Sequence, residues 1–156
     1  MDFAPPLDAT VVVVPREETF QSQISEKEKF KEWTSKYGFI GTNGKGQYIF
    51  SDGLNEKGLS VSILLLFATQ YPDYTQVAKE KVVMAHDLAH FLLGTCSTVD
   101  EARAALGTII VAGCPNPAIH MKELPIHLAI HDANKASLVV EFAGEKVQFY
   151  DHVINE

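Results

Sequence analysis

Thr10-Val11-Val12-Val13-Val14 is a run of β-branched residues that stops at Pro15. Such side chains favour extended backbone, and an unbroken apolar run predicts a central strand buried on both faces. The pattern dissolves over residues 21–36, where Glu26, Glu28 and Glu32 mix with Lys27, Lys29 and Lys31. That mixture predicts a solvated loop or edge segment. Strand character resumes over residues 37–42, Asn43-Gly44-Lys45-Gly46 supplies a turn, and residues 47–51 form the next strand. In Asp52-Gly53-Leu54-Asn55-Glu56-Lys57-Gly58, Asn55 and Gly58 both tolerate positive φ, so the chain can reverse between them. Residues 59–67 then read as a strand, with Ser60 and Ser62 on one face and Val61 and Ile63 interleaved.

Beyond Pro72 the period changes. Val77, Lys81, Met84, Leu88 and Leu92 recur about one turn apart, which predicts a helix over residues 77–93 with Gly94 as its stop. Ser97 is placed to cap a second helix, with Asp100 reaching back, Val99, Ala102, Leu106 and Ala105 on its buried side, and Gly107 at its end. Pro115 and Pro117 mark a loop. Residues 126–132, 137–142 and 146–151 read as three more strands, joined by Ala133-Asn134-Lys135 and Ala143-Gly144-Glu145. Strands, two helices, then strands again is not a regular alternation, so a doubly wound sheet fits poorly. The order predicts an α+β arrangement with helices lying across a largely antiparallel sheet.

Composition narrows the function. A hydrophobic fraction of 46% is that of a globular chain and argues against disorder. The net charge of −7 suits neither a phosphate backbone nor non-specific nucleic-acid binding. No apolar run approaches the roughly 18 residues of a membrane helix, and the first residues carry no secretion signal. A cytoplasmic location is favoured, with export open if a leader has been removed. Cys96 and Cys114 are too few and too loosely spaced for a disulfide scaffold or a four-ligand zinc site and are expected to be buried or half-buried thiols.

Two histidine pairs stand four residues apart. His86 and His90 lie on the expected first helix, where that spacing can bring two imidazoles to one metal, but the zinc-protease glutamate after the first His is absent. Polar-face or interlayer roles are therefore preferred to a metalloenzyme. His127 and His131 share a strand face with Ala129, opposite Ile126, Leu128 and Ile130, and can face a cleft or form one polar side of a sheet. Arg16, Asp52 and Asn55 border strands; strand-end charge and turn chemistry account for them. Cys96 beside a helix start has no base identifiable from sequence.

Several stretches together resemble the choloylglycine hydrolase family of linear amide C–N hydrolases, which includes bile salt hydrolases and penicillin V acylases. They are Met1-Asp2-Phe3, residues 11–16, Asp52-Gly53-Leu54-Asn55-Glu56-Lys57-Gly58-Leu59, Pro125-Ile126-His127-Leu128 and the run from Asp132 to Glu141. The resemblance implies an N-terminal-nucleophile hydrolase fold, a four-layer αββα sandwich, present here as an incomplete portion. It also implies a partial domain over residues 1–156, with strands at about 10–67, helices at about 76–107 and strands at about 124–151. Family members use a cysteine at the mature N-terminus, with its α-amino group as base. In the matching alignment that cysteine and a catalytic arginine fall before Met1, and a second asparagine and a later arginine fall after Glu156.

Neither terminus looks like a settled end, so the chain is expected to be an internal segment, inactive by itself. Asp2 matches the family aspartate that holds the nucleophile's amino end and is the one catalytic residue carried over. An oxyanion asparagine of Gram-positive bile salt hydrolases counts onto Leu65, a departure that points to a divergent member or another amide substrate. Leu65, Phe67 and Tyr71 are candidates for the substrate wall. The resemblance implies no cofactor and no metal, a small-molecule amide substrate, no nucleic-acid or membrane partner, and a homo-oligomeric parent, often a tetramer in the family. A non-catalytic ligand-binding or structural domain that keeps the fold is the alternative.

Overall fold

The computed structural model describes residues 9–43, 49–115 and 123–151. Its strands are β1 (Thr10–Val14), β2 (Thr19–Ser25), β3 (Glu28–Thr34), β4 (Phe39–Asn43), β5 (Phe50–Asn55), β6 (Ser60–Leu65), β7 (Val82–Met84), β8 (Ile110–Ala112), β9 (Ile126–His131), β10 (Ser137–Ala143) and β11 (Lys146–Asp151). Two helices, α1 (Leu88–Thr95) and α2 (Val99–Leu106), lie between β7 and β8. Seven strands form one sheet in the order β1-β4-β5-β6-β9-β10-β11, antiparallel throughout. β2 and β3 form a separate hairpin, and β7 pairs in parallel with β8.

Strand alternation sorts the large sheet into two faces. Val61, Ile63, Leu128, Ile130, Leu138 and Val140 turn to one side and are buried, joined there by Leu88, Leu92 and Leu93 of α1 and Val99, Ala102 and Leu106 of α2. Each such Val, Leu or Ile side chain contributes on the order of 1.5–3 kcal/mol by leaving water. α1 lies between this sheet and the β2–β3 hairpin, so every residue from Leu88 to Gly94 is buried. A helix covered on both sides needs no polar stripe, which is why its sequence carries little amphipathic signal. No helix among the described residues is long and apolar enough to cross a membrane.

β4, β6, β9, β10 and β11 lie close to the strands expected at 37–42, 59–67, 126–132, 137–142 and 146–151. Of the strand expected over 47–51, residues 47 and 48 lie outside the described residues, and β5 runs on through Asn55 to the reversal at 56–58. Four features differ. Among the described residues β1 is an edge strand paired only with β4, and Val11 and Val13 are 70% and 73% exposed. β-branching specifies extended backbone but not how many faces are covered. Residues 21–34 are not a loop: Ser22, Phe30 and Trp33 turn inward from β2 and β3. Register shifts between Gln21 and Gln23 and between Gln23 and Ser25 break the two-residue period that would have revealed them.

The helix expected over 77–93 begins only at Leu88. Val82-Val83-Met84 instead pairs with Ile110-Val111-Ala112, and tertiary pairing overrides the helical spacing. Gly94 lies inside α1 and packs so closely on Ser35 that an added Cβ would sit 2.8 Å from its Oγ. Finally, the cap of α2 is shifted by one residue. Thr98 Oγ1 accepts from the Glu101 amide at 3.2 Å, while the Glu101 carboxylate accepts from the Ser97 amide at 2.7 Å.

Candidate functional site

The strongest sequence motif proves to be a structural joint. An added Cβ at Gly53 would lie 2.3 Å from Leu93 Cδ1, so the glycine is what lets α1 rest on the backbone of β5. Asn55, buried at the end of β5, uses its whole amide. Nδ2 donates to the carbonyls of Leu93 (2.9 Å) and Cys96 (2.7 Å), and Oδ1 accepts from the amides of Lys57 and Leu59 (both 3.0 Å). One side chain thus closes the turn and ties it to the end of α1. Gly58 takes a left-handed φ of 87° against Ala133. Glu56 accepts from Arg16 Nε at 2.6 Å and from the Gly38 amide at 2.9 Å. These bonds, Arg16 first, lower its carboxyl to about 2. Arg16 is therefore held in this ion pair.

Asp132 is occupied in the same way. Its carboxylate accepts from Asn134 (2.8 Å), Ala136 (3.1 Å) and the first amide of α2 at Val99 (3.0 Å). The side chains of these motifs hold the sheet and helices together.

The sheet face away from the helices carries a different set of side chains. Val11, Val13, Ile40 and Leu54 form an exposed apolar corner. Beside it, one row crosses the sheet through Thr42, Asp52, Ser62, Ala129, Val139 and Tyr150, and another passes through Ser60, His131 and Ser137. His127 and His131 share this face, as their spacing predicts, with Leu64 opposite His127. His127 Nδ1 is buried and has no hydrogen-bond partner.

Asp2 lies outside the described residues. Leu65 ends β6 opposite Ile126 and packs, with Tyr71, against the helix-side core. The Tyr71 hydroxyl donates to the Leu124 carbonyl at 2.6 Å and accepts from the Ile126 amide at 3.2 Å, and its ring lies 5.3 Å from that of Phe142. Burial raises its phenol above the ordinary range. Phe67, just past β6, is 79% exposed. Leu65 and Tyr71 are half-buried.

A family model for linear amide C–N hydrolases of the choloylglycine hydrolase family matches residues 1–155. The chain belongs to that family. It is 28% identical over 151 residues to a penicillin V acylase of Pectobacterium atrosepticum, covering 94% of this chain and 40% of that protein. A bile salt hydrolase/transferase of Clostridium perfringens is 27% identical over 161 residues, covering 99% of this chain and 46% of that protein. Among solved structures, penicillin V acylase from Agrobacterium tumefaciens superposes with a TM-score of 0.80 at 26% identity, over 97% of this chain and 44% of that one. A variant of the conjugated bile acid hydrolase of Clostridium perfringens gives 0.78 at 25%, over 97% and 45%. The chain spans less than half the length of the relatives it matches. The fold is thus that of the N-terminal-nucleophile hydrolases, α+β, and among the described residues the helices pack on one face of the seven-stranded sheet.

A second polar cluster lies on the helix side. His86 sits in a 3₁₀ turn (Ala85–Asp87) just before α1, His90 sits on α1, and Asp87 lies between them. Asp87 Oδ2 accepts from the Ser22 hydroxyl at 2.7 Å, and Ser22 Oγ accepts from the Met84 amide at 2.8 Å. His86 Nε2 is 3.3 Å from Asp87 Oδ2, and its Nδ1 is 2.7 Å from Cys114 Sγ. Burial disfavours charge on His86, but hydrogen bonds to Asp87 and Cys114 outweigh it and raise the imidazole to about 10. His90, ringed by Phe20, Trp33 and Phe50, is driven the other way by burial, to about 4.

The described residues contain no group of three or more His, Cys, Asp or Glu arranged to hold a metal. The approach of Cys114 to His86 escapes a local reading because 28 residues separate them. The available signal was a pair of apolar triplets, Val82-Val83-Met84 and Ile110-Val111-Ala112, each ending two residues before one partner.

Proposed function

We propose that this chain is a segment of a cysteine N-terminal-nucleophile amidohydrolase that cleaves non-peptide linear amide C–N bonds, of the bile-acid-conjugate or penicillin V kind. Membership of the linear amide C–N hydrolase family over residues 1–155 carries the reading. The open sheet face supports it: an apolar corner next to rows of Ser, Asp and His side chains suits an apolar acyl group joined to a polar amide. Phe67 is the wall candidate with surface free to meet that acyl group, and Leu65 and Tyr71 support the sheet end behind it.

In this proposal the nucleophile is the thiol of a mature N-terminal cysteine encoded upstream of Met1. Its α-amino group, with an ordinary pKa of about 8, takes the thiol proton near neutral pH. Sulfur attacks the amide carbonyl, the tetrahedral oxyanion collapses with loss of the amine, and water hydrolyses the thioester. Asp2 holds the α-amino group in place. The segment by itself then lacks the nucleophile and does not turn over substrate, while the parent is a homo-oligomer in the cytoplasm.

The test is hydrolysis of penicillin V and of a bile-acid conjugate by the protein encoded by the full reading frame, beside the 156-residue chain. Turnover by the longer protein, abolished by a thiol alkylator and by replacing its N-terminal cysteine, is the expected result. A reading frame without that cysteine, or turnover that survives alkylation, overturns the mechanism. Binding of either amide without turnover would favour a ligand-binding domain instead.

A further inference from the structure

The small core beside the β2–β3 hairpin holds chemistry that amide hydrolysis at an N-terminal cysteine does not use. β7 and β8 run parallel, with Met84 opposite Ala112. Continued two residues past each strand, the same register sets His86 against Cys114, and the two side chains meet at 2.7 Å. His86 turns its other nitrogen to Asp87, which is fixed by the Ser22 hydroxyl, itself fixed by the Met84 amide. With Nε2 turned to the Asp87 carboxyl, Nδ1 faces the thiol and shares a proton with it. The order is nucleophile, base and orienting group, each within reach of the next.

We propose that Cys114, His86 and Asp87 form a second reactive site, a thiol–imidazole–carboxylate array that takes small uncharged peroxides. Access decides the substrate class. Cys114 is 1% exposed, while the His86 side chain beside it keeps 17% of its surface. Bulky or charged electrophiles are excluded, and hydrogen peroxide, close to water in size, is not. In the step, the proton shared between Cys114 Sγ and His86 Nδ1 settles on His86 as sulfur attacks one peroxide oxygen. The S–O bond forms and the O–O bond breaks. The departing hydroxide takes the proton from His86 and leaves as water. Sulfur loses two electrons to the peroxide and becomes a sulfenic acid, whose hydroxyl keeps its original hydrogen. His86, held well above the ordinary imidazole range, keeps that proton until the hydroxide departs.

Cys96 provides the control within the same molecule. It is buried to the same degree, at 2% exposed, yet its side-chain neighbour is the Thr95 hydroxyl at 3.5 Å, with no imidazole, and burial raises its thiol. The experiment treats the folded full chain with hydrogen peroxide, traps sulfenic acid with dimedone and measures each cysteine peptide by mass spectrometry. Cys114 should be trapped roughly 10- to 100-fold faster than Cys96. His86→Gln should remove that advantage while leaving the Cys96 rate unchanged, and Asp87→Asn should reduce it by less. A loosened fold would instead raise both rates together. Equal rates at the two cysteines of the folded chain, no trapping at Cys114, or a Cys114 rate unaffected by His86→Gln each overturn the proposal.

Discussion

The two faces of the seven-stranded sheet are built from the same strands, yet they are different kinds of surface. On the helix side, Val61, Ile63, Leu128, Ile130, Leu138 and Val140 are closed off from water by α1 and α2. On the other side, Val11, Val13, Ile40 and Leu54 stand open at one corner, and Ser60, Ser62, Asp52 and His131 spread across the middle. The first face supplies its own partners and explains why the chain folds. The second leaves Val11, Val13, Ile40 and Leu54 uncovered on three neighbouring strands. A covered core and an uncovered surface are thus separated by one layer of backbone.

That separation makes graded predictions. The largest effect belongs to the helix side: Leu128→Ala should destabilise the chain by about 2–5 kcal/mol, through lost burial and the cavity left under α1. Chemical denaturation measures this, and a loss below about 1 kcal/mol would mean that the helical layer is not the core. Asn55→Ala should come next, at about 1–3 kcal/mol, because it strips hydrogen bonds from the buried carbonyls of Leu93 and Cys96 and from two turn amides. If Asn55→Ala unfolded like wild type but abolished ligand binding, the residue would belong to the site and not to the joint.

How much of this was legible beforehand follows the same division. β9, β10 and β11 alternate cleanly and are separated by turns whose Lys135, Gly144 and Glu145 adopt positive φ, so local rules suffice. β2 escapes because its bulges shift the period, and β7 because a three-residue strand is defined by its partner 28 positions away. β1 is a strand in either reading, but only the assembled sheet places it at the edge with Val11 and Val13 uncovered. At the candidate site, the Asp52–Leu59 run was visible and its joint role follows from turn chemistry. The Cys114–His86 contact was not, since it exists only through parallel pairing.

A smaller effect separates the two histidines flanking Asp87. His90, held near 4, stays neutral in the fold while the unfolded chain gains a proton below about 6.5, so its contribution is present above that pH and is lost as pH falls toward 4. His86, raised to about 10, acts in the opposite sense, with its contribution full below about 6.5 and lost as pH rises toward 10. Denaturation midpoints should therefore fall on both sides of neutrality. His90→Phe should flatten the acid limb and His86→Gln the alkaline limb. Unchanged limbs in these variants would place the titration elsewhere.

The smallest change in stability, and the most direct probe of the open face, is Val13→Lys. Val13 is solvent-facing on an edge strand, so the substitution should move stability by no more than about 0.5 kcal/mol. It should nonetheless alter behaviour in solution. An uncovered edge and an apolar corner predict concentration-dependent self-association of the isolated chain, and a lysine on such an edge opposes pairing. Sedimentation across a range of concentrations should show association for the wild type and less of it for Val13→Lys at equal stability. A wild-type chain that remains a monodisperse monomer and melts cooperatively would mean that the open face is stable in water as it stands. The distinction between the two faces would then lie in ligand contact alone and not in a missing covering layer.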